Sequence, residues 1–363
     1  MRRRDVLALL MTGGAAALVG CSGPGSRPGG SSSPDAGGQG AGAKLGVSMI
    51  DLIAPFYVNM QKAGEKAAAD YGVQAIWQSA EGNLEKQIGV VENFIRQKVD
   101  VILINAVDDK GILPVVQKAE AAGIPVVMMA NDIESDYVYE TLYPDYDNMA
   151  MQARVLGTAL GGKGKVALLI GTRGNSVSDS REAGFVETMK KDFPGIQIVS
   201  IQPTDWDAAK GRAVAETLMA QYPDLDAISA VSDPALLAAM AVAQTSGRAN
   251  IKAVGYDGDF EMHDLLNKGT MLIDVLTGAE RVGYWNIALG ARLARGEQFP
   301  KSLYLPTFFV TSAATATDLK SKGLQIETIP PEEAVKAAQD YATQFGPNVT
   351  PDKLNQGTKG RVS

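Results

Sequence analysis

Residues 99–132, VDVILINAVDDKGILPVVQKAEAAGIPVVMMAND, contain two apolar runs separated by a stretch of helical length. The runs VILIN and IPVVMM are continuous and do not alternate with polar residues, which is typical of strands buried on both faces of a parallel sheet. Parallel neighbours need a crossover of a dozen or so residues, and a helix usually supplies it. The stretch therefore predicts a β-α-β unit.

The same pattern extends in both directions from this unit. A helix is predicted at 83–98, where Ile88, Val91 and Ile95 mark one buried face. Strands are predicted at 44–50, 73–78, 99–105, 124–130, 165–170, 196–201, 226–231, 251–256, 271–276 and 305–311. Because residues 44–363 are numerous enough for two cores, we expect an α/β protein with two doubly wound parallel sheets. Ligands of such sheets bind outside the carboxyl ends of the strands.

The N-terminus has the three-part plan of an export signal. Three arginines at positions 2–4 precede an apolar run at 6–19, and the run ends near Cys21, which is the only cysteine. The run is shorter than the roughly 20 residues of a membrane-spanning helix, which makes the transmembrane reading weak. The ending Leu-Val-Gly-Cys resembles a bacterial lipobox, so we expect a signal peptide at 1–20 and lipidation of Cys21. Residues 3–7 also resemble a twin-arginine motif, and the export route stays open.

A linker is predicted between Cys21 and the first strand. Residues 22–43 contain 8 Gly, 5 Ser and 3 Pro, too little apolar surface for a core. Residues 21–43 would thus tether the folded body to the outer face of the cell membrane or hold it in the periplasm.

Composition excludes several classes of function. The formal net charge is −7 and no basic run follows Cys21, which argues against a nucleic-acid partner. With one cysteine and one histidine, His263, the chain can assemble neither a disulfide nor a multi-histidine metal site. We therefore expect no cofactor and no enzymatic activity, although a hydrolase that uses only carboxylates stays open.

Aromatic and polar residues follow the predicted strands, in motifs that resemble one family. VDVILINAVD, KAEAAGIPVV, REAGF, QPTDWDAAKG and VGYDG occur in order. The set resembles the ribose-type sugar-binding proteins of bacterial ABC importers, which have the type I periplasmic binding protein fold. The resemblance runs from about residue 44 to 312.

The resemblance implies a set of ligand-binding residues. Aromatic rings would stack on both faces of a sugar ring, and side chains at strand ends would hydrogen-bond its hydroxyls. At the end of the fourth strand the chain departs from the family's Asp-Arg pair, with Ala130 and Asn131 followed by Asp132. Ser232 replaces an Asn and leaves Asp233 as the expected helix cap before Pro234. The expected site residues are Phe56, Tyr57, Asn105, Asn131, Asp132, Arg181, Trp206, Ser232, Asp257 and Thr277.

The family topology implies two lobes joined by three strands. The lobes would comprise 44–143 plus 278–306 and 144–277 plus 307–326, with crossovers near Tyr143, Thr277 and Pro306. Residues 327–363 would be a C-terminal extension with a helix at 331–345.

These expectations define a function. The chain would be a solute-binding lipoprotein that closes on a small neutral sugar or polyol and presents it to ABC permease subunits. A receptor serving chemotaxis or a sensor kinase would have the same pocket, and a nucleoside would be an alternative ligand. A transcription repressor of related fold would need a helical DNA-binding domain where this chain has a signal and a linker.

Overall fold

A computed structural model describes residues 42–347. The expected signal peptide, Cys21 and nearly all of the linker lie outside the described residues, as does the end of the extension from residue 348. Within the part of the chain that is described, no helix has both the length and the apolar character that crossing a membrane requires.

The helices and strands alternate along most of the chain. In chain order they are β1 (Lys44–Met49), α1 (Pro55–Tyr71), β2 (Gln74–Ser79), α2 (Leu84–Gln97), β3 (Val101–Ile104), α3 (Leu113–Ala121), β4 (Val126–Met129), β5 (Tyr139–Leu142), α4 (Asp145–Ala159), β6 (Gly164–Ile170), α5 (Ser176–Asp192), β7 (Ile196–Pro203), α6 (Ala208–Gln221), β8 (Ala227–Ala230), α7 (Asp233–Thr245), β9 (Lys252–Asp257), α8 (His263–Asn267), β10 (Met271–Leu276), α9 (Ala279–Ala294), β11 (Ser302–Tyr304), β12 (Phe308–Val310), α10 (Ala313–Ser321), α11 (Pro331–Gln339) and α12 (Tyr341–Phe345).

The strands form two six-stranded sheets, each covered by helices. The first has the order β11-β5-β4-β3-β1-β2, and the second has the order β12-β10-β9-β8-β6-β7. Every neighbouring pair is parallel except β10 and β12, which are antiparallel. The prediction of two doubly wound parallel sheets is therefore confirmed.

Three connections join the two lobes. The chain passes from one sheet to the other at residues 143–144, 277–278 and 305–307. The buried Arg281, near the start of α9, donates hydrogen bonds to the carbonyl of Thr277 (2.9 Å) and the carbonyl of Pro306 (2.7 Å). One side chain thus ties two of the three connections together.

Two strand predictions were wrong in detail. The segment 305–311, predicted as one strand, contains the passage between the sheets at 305–307 and only one short strand, β12, while the preceding β11 of the other sheet was not predicted. Pro306 lies where the chain passes from one sheet to the other. Proline has no backbone N–H, but neither sheet needs a hydrogen bond from this position. β5 was not predicted, because its sequence YETL has no apolar run that could have revealed it.

Close packing of α1 on α9 fixes the start of α1 beside the cleft. A Cβ at Gly283 in α9 would lie 1.9 Å from the carbonyl oxygen of Met60 in α1, so only glycine allows this approach. In α1, a Cβ at Gly64 would meet the ring of Trp77 at 2.5 Å. These contacts hold the first turn of α1, which carries two of the expected site residues.

The C-terminal segment packs on both lobes. The helix predicted at 331–345 is interrupted at Asp340, so it forms α11 and α12 instead. Ala334 of α11 belongs to an apolar cluster of the second lobe, whereas Phe345 of α12 packs on Trp285 of the first lobe with ring centroids 4.5 Å apart. This segment therefore adds a further contact between the lobes beside the three connections.

Candidate functional site

A cavity of about 90 Å³ lies between the two lobes, where the carboxyl ends of both sheets face each other. This volume is several times the roughly 10–15 Å³ that one water molecule requires, so it suits a small ligand. The structure brings eight of the ten expected site residues to its wall. They are Phe56, Tyr57, Asn105, Arg181, Trp206, Ser232, Asp257 and Thr277.

Phe56 and Tyr57 reach the cavity from the first turn of α1. Pro55 begins this helix, and its fixed backbone angle suits the first helical position. The rings of Phe56 and Tyr57 meet edge to face, with centroids 5.6 Å apart. Burial raises the pKa of the Tyr57 phenol well above its usual range, and the nearby Asp257 and Asp51 add to the shift. Tyr57 is therefore a neutral hydroxyl group at any physiological pH.

Asn105 follows β3 and leaves one oxygen free for a ligand. Its Nδ2 donates to the carbonyl of Met129 at 3.1 Å. Its Oδ1 is buried and has no hydrogen-bond partner in residues 42–347. A buried acceptor without a partner is unfavourable, so this oxygen is suited to receive a hydroxyl donor from a bound molecule.

Arg181, on α5, is the cation of the cavity wall and is already neutralised by acidic groups. Its Nε donates to Asp145 Oδ1 at 2.8 Å, and its Nη1 donates to the carbonyl of Val231 at 2.7 Å and to Asp257 Oδ1 at 3.3 Å. The guanidinium carbon lies 3.5 Å from the centroid of the Tyr256 ring. Burial acts to lower the pKa of Arg181, but Asp145, Tyr256 and Asp257 together raise it, so the side chain stays charged.

Asp257 ends β9 on a backbone segment that Asp233 holds in place. The carboxylate of Asp233 accepts hydrogen bonds from the backbone N–H groups of Tyr256 (3.0 Å), Gly258 (3.0 Å) and Asp259 (2.9 Å). The expectation that Asp233 caps a helix was wrong, because the N-cap of α7 is Ser232 and the Asp233 carboxylate faces this loop instead. Asp257 has a backbone φ of 122°, a conformation that favours glycine.

Burial raises the pKa of four carboxyl groups at and behind the cavity wall. Burial raises the pKa of Asp257 to about 7, although the Arg181 guanidinium opposes the shift and Asp274 adds to it. Burial likewise raises the pKa of Asp274 and that of Asp259 to about 7, and it raises the pKa of Asp233. Burial therefore makes these carboxyl groups harder to ionise than exposed ones.

Trp206 reaches the cavity from the loop between β7 and α6. Its φ is 63° and that of Asp205 is 49°, so two successive residues adopt the left-handed conformation. The indole ring lies against the backbone of Gly171, where a Cβ would meet it at 2.3 Å. Such conformations persist only where the surrounding structure imposes them, and they are frequent at ligand sites. The loop is thus built to hold the indole at the cleft.

Two expected site residues do not line the cavity. Asn131 is fully buried, where its Oδ1 accepts from the backbone N–H of Ala106 (2.9 Å) and its Nδ2 donates to Asp109 Oδ1 (2.8 Å). Asn131 therefore shapes the loop after β3, and its amide is not available to a ligand. Asp132 lines a neighbouring pocket, and its backbone N–H donates to Ser176 Oγ at 3.1 Å.

Ten residues that line the cavity were not predicted from the sequence. Asn175 was detectable as the N-cap of α5, and Tyr143 as the residue before a proline at a crossover. The others are mostly apolar, and no pattern in the sequence distinguishes them from core residues. The missed residues are Ile50, Ala54, Met60, Met129, Ala130, Tyr143, Asn175, Val177, Pro234 and Val282.

Contacts across the mouth of the cleft show that the lobes are closed. Asn175 Nδ2 of the second lobe donates to the carbonyl of Ala106 in the first lobe at 3.2 Å. The backbone N–H of Ser176 donates to Asp109 of the first lobe. No cluster of three or more side chains suited to a metal ion occurs in the residues that the structure describes.

This chain is similar in sequence to a known family and to known binding proteins. Residues 45–298 match a family model described as a periplasmic binding protein domain. The ribose import binding protein RbsB of Bacillus subtilis (strain 168) is 31% identical over 265 residues, which are 72% of this chain and 85% of that protein. The D-ribose/D-allose-binding protein of Pseudomonas aeruginosa is 30% identical over 267 residues, which are 70% of this chain and 83% of that protein.

A solved structure agrees with these matches. An ABC transporter solute-binding protein from Mycobacterium smegmatis, with bound glycerol, superimposes with a TM-score of 0.70 and 28% identity. The superposition covers 74% of this chain and 93% of that chain.

Proposed function

Since this chain belongs to the periplasmic binding protein family, in its ribose-type group, we propose that it binds a small neutral sugar or polyol between its lobes and delivers it to an ABC importer. The observation that carries this proposal is the closed cavity with aromatic rings from both lobes, Phe56 and Tyr57 on one side and Trp206 on the other. Flat C–H faces of a sugar ring pack well against aromatic rings. The family consists of binding proteins, and no catalytic step is proposed here.

The charges of the wall favour a neutral ligand. Arg181 already contacts two carboxylates, Asp145 and Asp257, so it offers no excess positive charge to a phosphate or a carboxylate. Asp257 can accept hydrogen bonds from ligand hydroxyls, and Arg181 can donate to them. The proposed contacts from Asn105, Ser232 and Thr277 complete the polar part of the site.

Binding would proceed by hinge closure. We assign residues 44–143 plus 278–306 to one lobe and residues 144–277 plus 307–326 to the other, because the three connections fall at these limits. A ligand that contacts both lobes stabilises the closed form by its differential affinity for that form. The closed surface is then the one that the permease subunits would recognise.

A binding screen tests the proposed function. The purified protein would be titrated with sugars, polyols and nucleosides while its thermal unfolding is followed. A true ligand at 100 times its dissociation constant should add about 2.7 kcal/mol to the free energy of unfolding. We expect a sugar or polyol to give this result. Stabilisation by nucleosides alone, or by none of these compounds, would contradict the proposal.

Tryptophan fluorescence provides an internal control for the same screen. Trp206 lines the cavity, whereas Trp77 lies in β2 and Trp285 is fully buried in α9. The ligand should therefore change mainly the emission of Trp206. The Trp206→Phe variant should keep the thermal stabilisation, since a phenyl ring still stacks, but lose most of the change in emission.

We also propose that the protein is exported and anchored by a lipid on Cys21. The support is the N-terminal sequence, in which the only cysteine follows an apolar run and precedes a Gly- and Ser-rich linker. The Cys21→Ser variant should lose membrane association while its ligand affinity stays unchanged. The measurement is the amount of protein in the membrane fraction after a salt wash, with Ser22→Ala as the control. Retention of the Cys21→Ser variant in the membrane would refute the lipid anchor.

A further inference from the structure

Several buried polar atoms without a hydrogen-bond partner belong to residues of the cavity wall. Eleven side-chain nitrogen or oxygen atoms in residues 42–347 are buried and have no partner. Four of them belong to residues that line the cavity, namely Asn105 Oδ1, Tyr143 Oη, Trp206 Nε1 and Ser232 Oγ. Buried polar groups in folded proteins are nearly always hydrogen-bonded, so these exceptions need an explanation. A bound ligand would supply the missing partners.

These four atoms require a ligand that both donates and accepts hydrogen bonds. The amide oxygen of Asn105 only accepts, and the indole N–H of Trp206 only donates. The hydroxyls of Ser232 and Tyr143 can do either. A ligand hydroxyl also does both, so the set is consistent with the polyhydroxy ligand of the proposed function. Of the four residues, Tyr143 lies on a connection between the lobes, at 143–144.

Tyr143 is anchored by its ring and keeps a neutral hydroxyl group. The ring belongs to an apolar cluster of the first lobe, and the residue is 7% exposed. Burial raises the pKa of the phenol well above its usual range, and Asp145 and Asp257 add to the shift. Arg281 and Arg181 oppose it. Since Arg181 and Asp257 line the cavity, the hydroxyl of Tyr143 lies within electrostatic reach of the proposed ligand site.

The strand next to Tyr143 ends without a polar side chain at the cavity. β4 pairs with β5, and Met129 lies opposite Thr141. Ala130 and Tyr143 directly follow these two strands, and both line the cavity. The side chain of Ala130 has no polar atom, and the amide of Asn131 is hydrogen-bonded within the first lobe. Tyr143 therefore carries a hydroxyl beside a strand end that contributes no polar side chain to the cavity.

We propose that Tyr143 is a further ligand-binding residue, whose hydroxyl forms a hydrogen bond with one hydroxyl of the bound sugar or polyol. It supplies the polar contact that neither Ala130 nor Asn131 makes. Because Tyr143 belongs to the connection at 143–144, the ligand then contacts that connection directly. The inference rests on the proposed function, which it refines.

Removal of the hydroxyl alone tests the proposal. The natural protein and its Tyr143→Phe variant would be titrated by calorimetry with D-ribose, D-allose, myo-inositol, xylitol and glycerol. We expect the variant to bind the tightest of these probes about three- to tenfold more weakly than the natural protein does, since one hydrogen bond is lost. Unchanged affinity would overturn this inference and leave the proposed function standing. If the natural protein binds none of the five probes, both fail.

The stability of the ligand-free protein separates a ligand contact from a structural role. The Tyr143 hydroxyl has no partner in residues 42–347, so Tyr143→Phe should leave the midpoint of urea unfolding unchanged or raise it. Tyr71→Phe is the matched control, because the buried Tyr71 hydroxyl donates to the carbonyl of Phe345 at 3.0 Å. The control should lower the midpoint and leave ligand affinity unchanged. An equal fall of the midpoint in both variants would show that the Tyr143 hydroxyl serves the fold.

Ligands that lack one hydroxyl show whether the contact is direct. Monodeoxy derivatives of the probe that binds would be titrated against the natural protein and Tyr143→Phe. For one derivative, the loss of affinity relative to the parent compound should be about threefold or more smaller in the variant, because its partner hydroxyl is already absent there. Equal losses in the two proteins for every derivative would contradict a direct hydrogen bond from Tyr143.

Discussion

Replacing Arg181 by Met is expected to lower the free energy of unfolding by about 3–5 kcal/mol. Arg181 is 4% exposed and Asp145 is 6% exposed, and their atoms lie 2.8 Å apart. Without the guanidinium, the carboxylate of Asp145 would stay buried with no cation beside it. Asp257 would lose the same partner. The measurement is urea unfolding of the ligand-free protein, followed by circular dichroism.

Arg173 provides the matched control for this experiment. Its Nη1 lies 3.0 Å from Glu182 Oε2, but its side chain is 57% exposed. Exposed ion pairs contribute about 0–1 kcal/mol, so Arg173→Met should change the stability little. Adding Asp145→Asn to Arg181→Met should restore part of the lost stability, because it removes the unpaired charge. Equal effects of the two arginine substitutions would show that the buried pair does not stabilise the fold.

Replacing Asp257 by Asn is expected to weaken ligand binding by about 10- to 100-fold. A hydrogen bond to a charged group contributes about 1.5–3 kcal/mol, and Asn keeps the shape of the side chain while losing the charge. The measurement is calorimetric titration with whichever sugar or polyol the screen identifies. Asp259→Asn is the control, because Asp259 has a similarly raised pKa but does not line the cavity. Its affinity should stay within about threefold of the natural protein.

The pH dependence of binding gives a second readout of Asp257. Burial raises the pKa of Asp257 to about 7 in the ligand-free protein. Hydroxyls that donate to the carboxylate favour its ionised form, so binding lowers this pKa and releases a proton. Affinity should therefore fall as the pH drops below 7, by at most about tenfold per unit, and level off above 8. Asp257→Asn should reduce this slope. A slope that is unchanged in the variant would assign the titration to another group of the cluster.

Much of the fold could be predicted because buried parallel strands leave a direct trace in the sequence. The runs at 101–104 and 126–129 are continuous and apolar, and both are strands of the first sheet. β5 left no such trace, because its sequence YETL includes a buried glutamate and a threonine. The change of sheet within 305–311 was equally hidden, since a local pattern cannot show which sheet a short strand joins.

The positions of the polar and aromatic candidates were also largely evident in the sequence. Phe56 and Trp206 follow strands, and the carboxyl ends of parallel strands meet at one edge of a sheet. Asn131 occupies a similar position but turns away from the cavity, because it satisfies the backbone N–H of Ala106 and contacts Asp109. Ala130 lines the cavity and the next residue, Asn131, does not, since the direction of a side chain depends on its partners in space.

Two doubly wound sheets could be predicted from the sequence, since strand burial and helix periodicity are local properties of the chain. The loops that could carry a site were predictable for the same reason, because those loops follow the strands. The tertiary structure was needed to show that Arg181 is paired with Asp145 and Asp257 and that Met129 and Ala130 line the cavity. Arg181 and Asp257 are 76 residues apart. Their pairing arises from packing within the second lobe, whereas the shape of the cavity arises from closure of one lobe on the other, and no local pattern in the sequence encodes either.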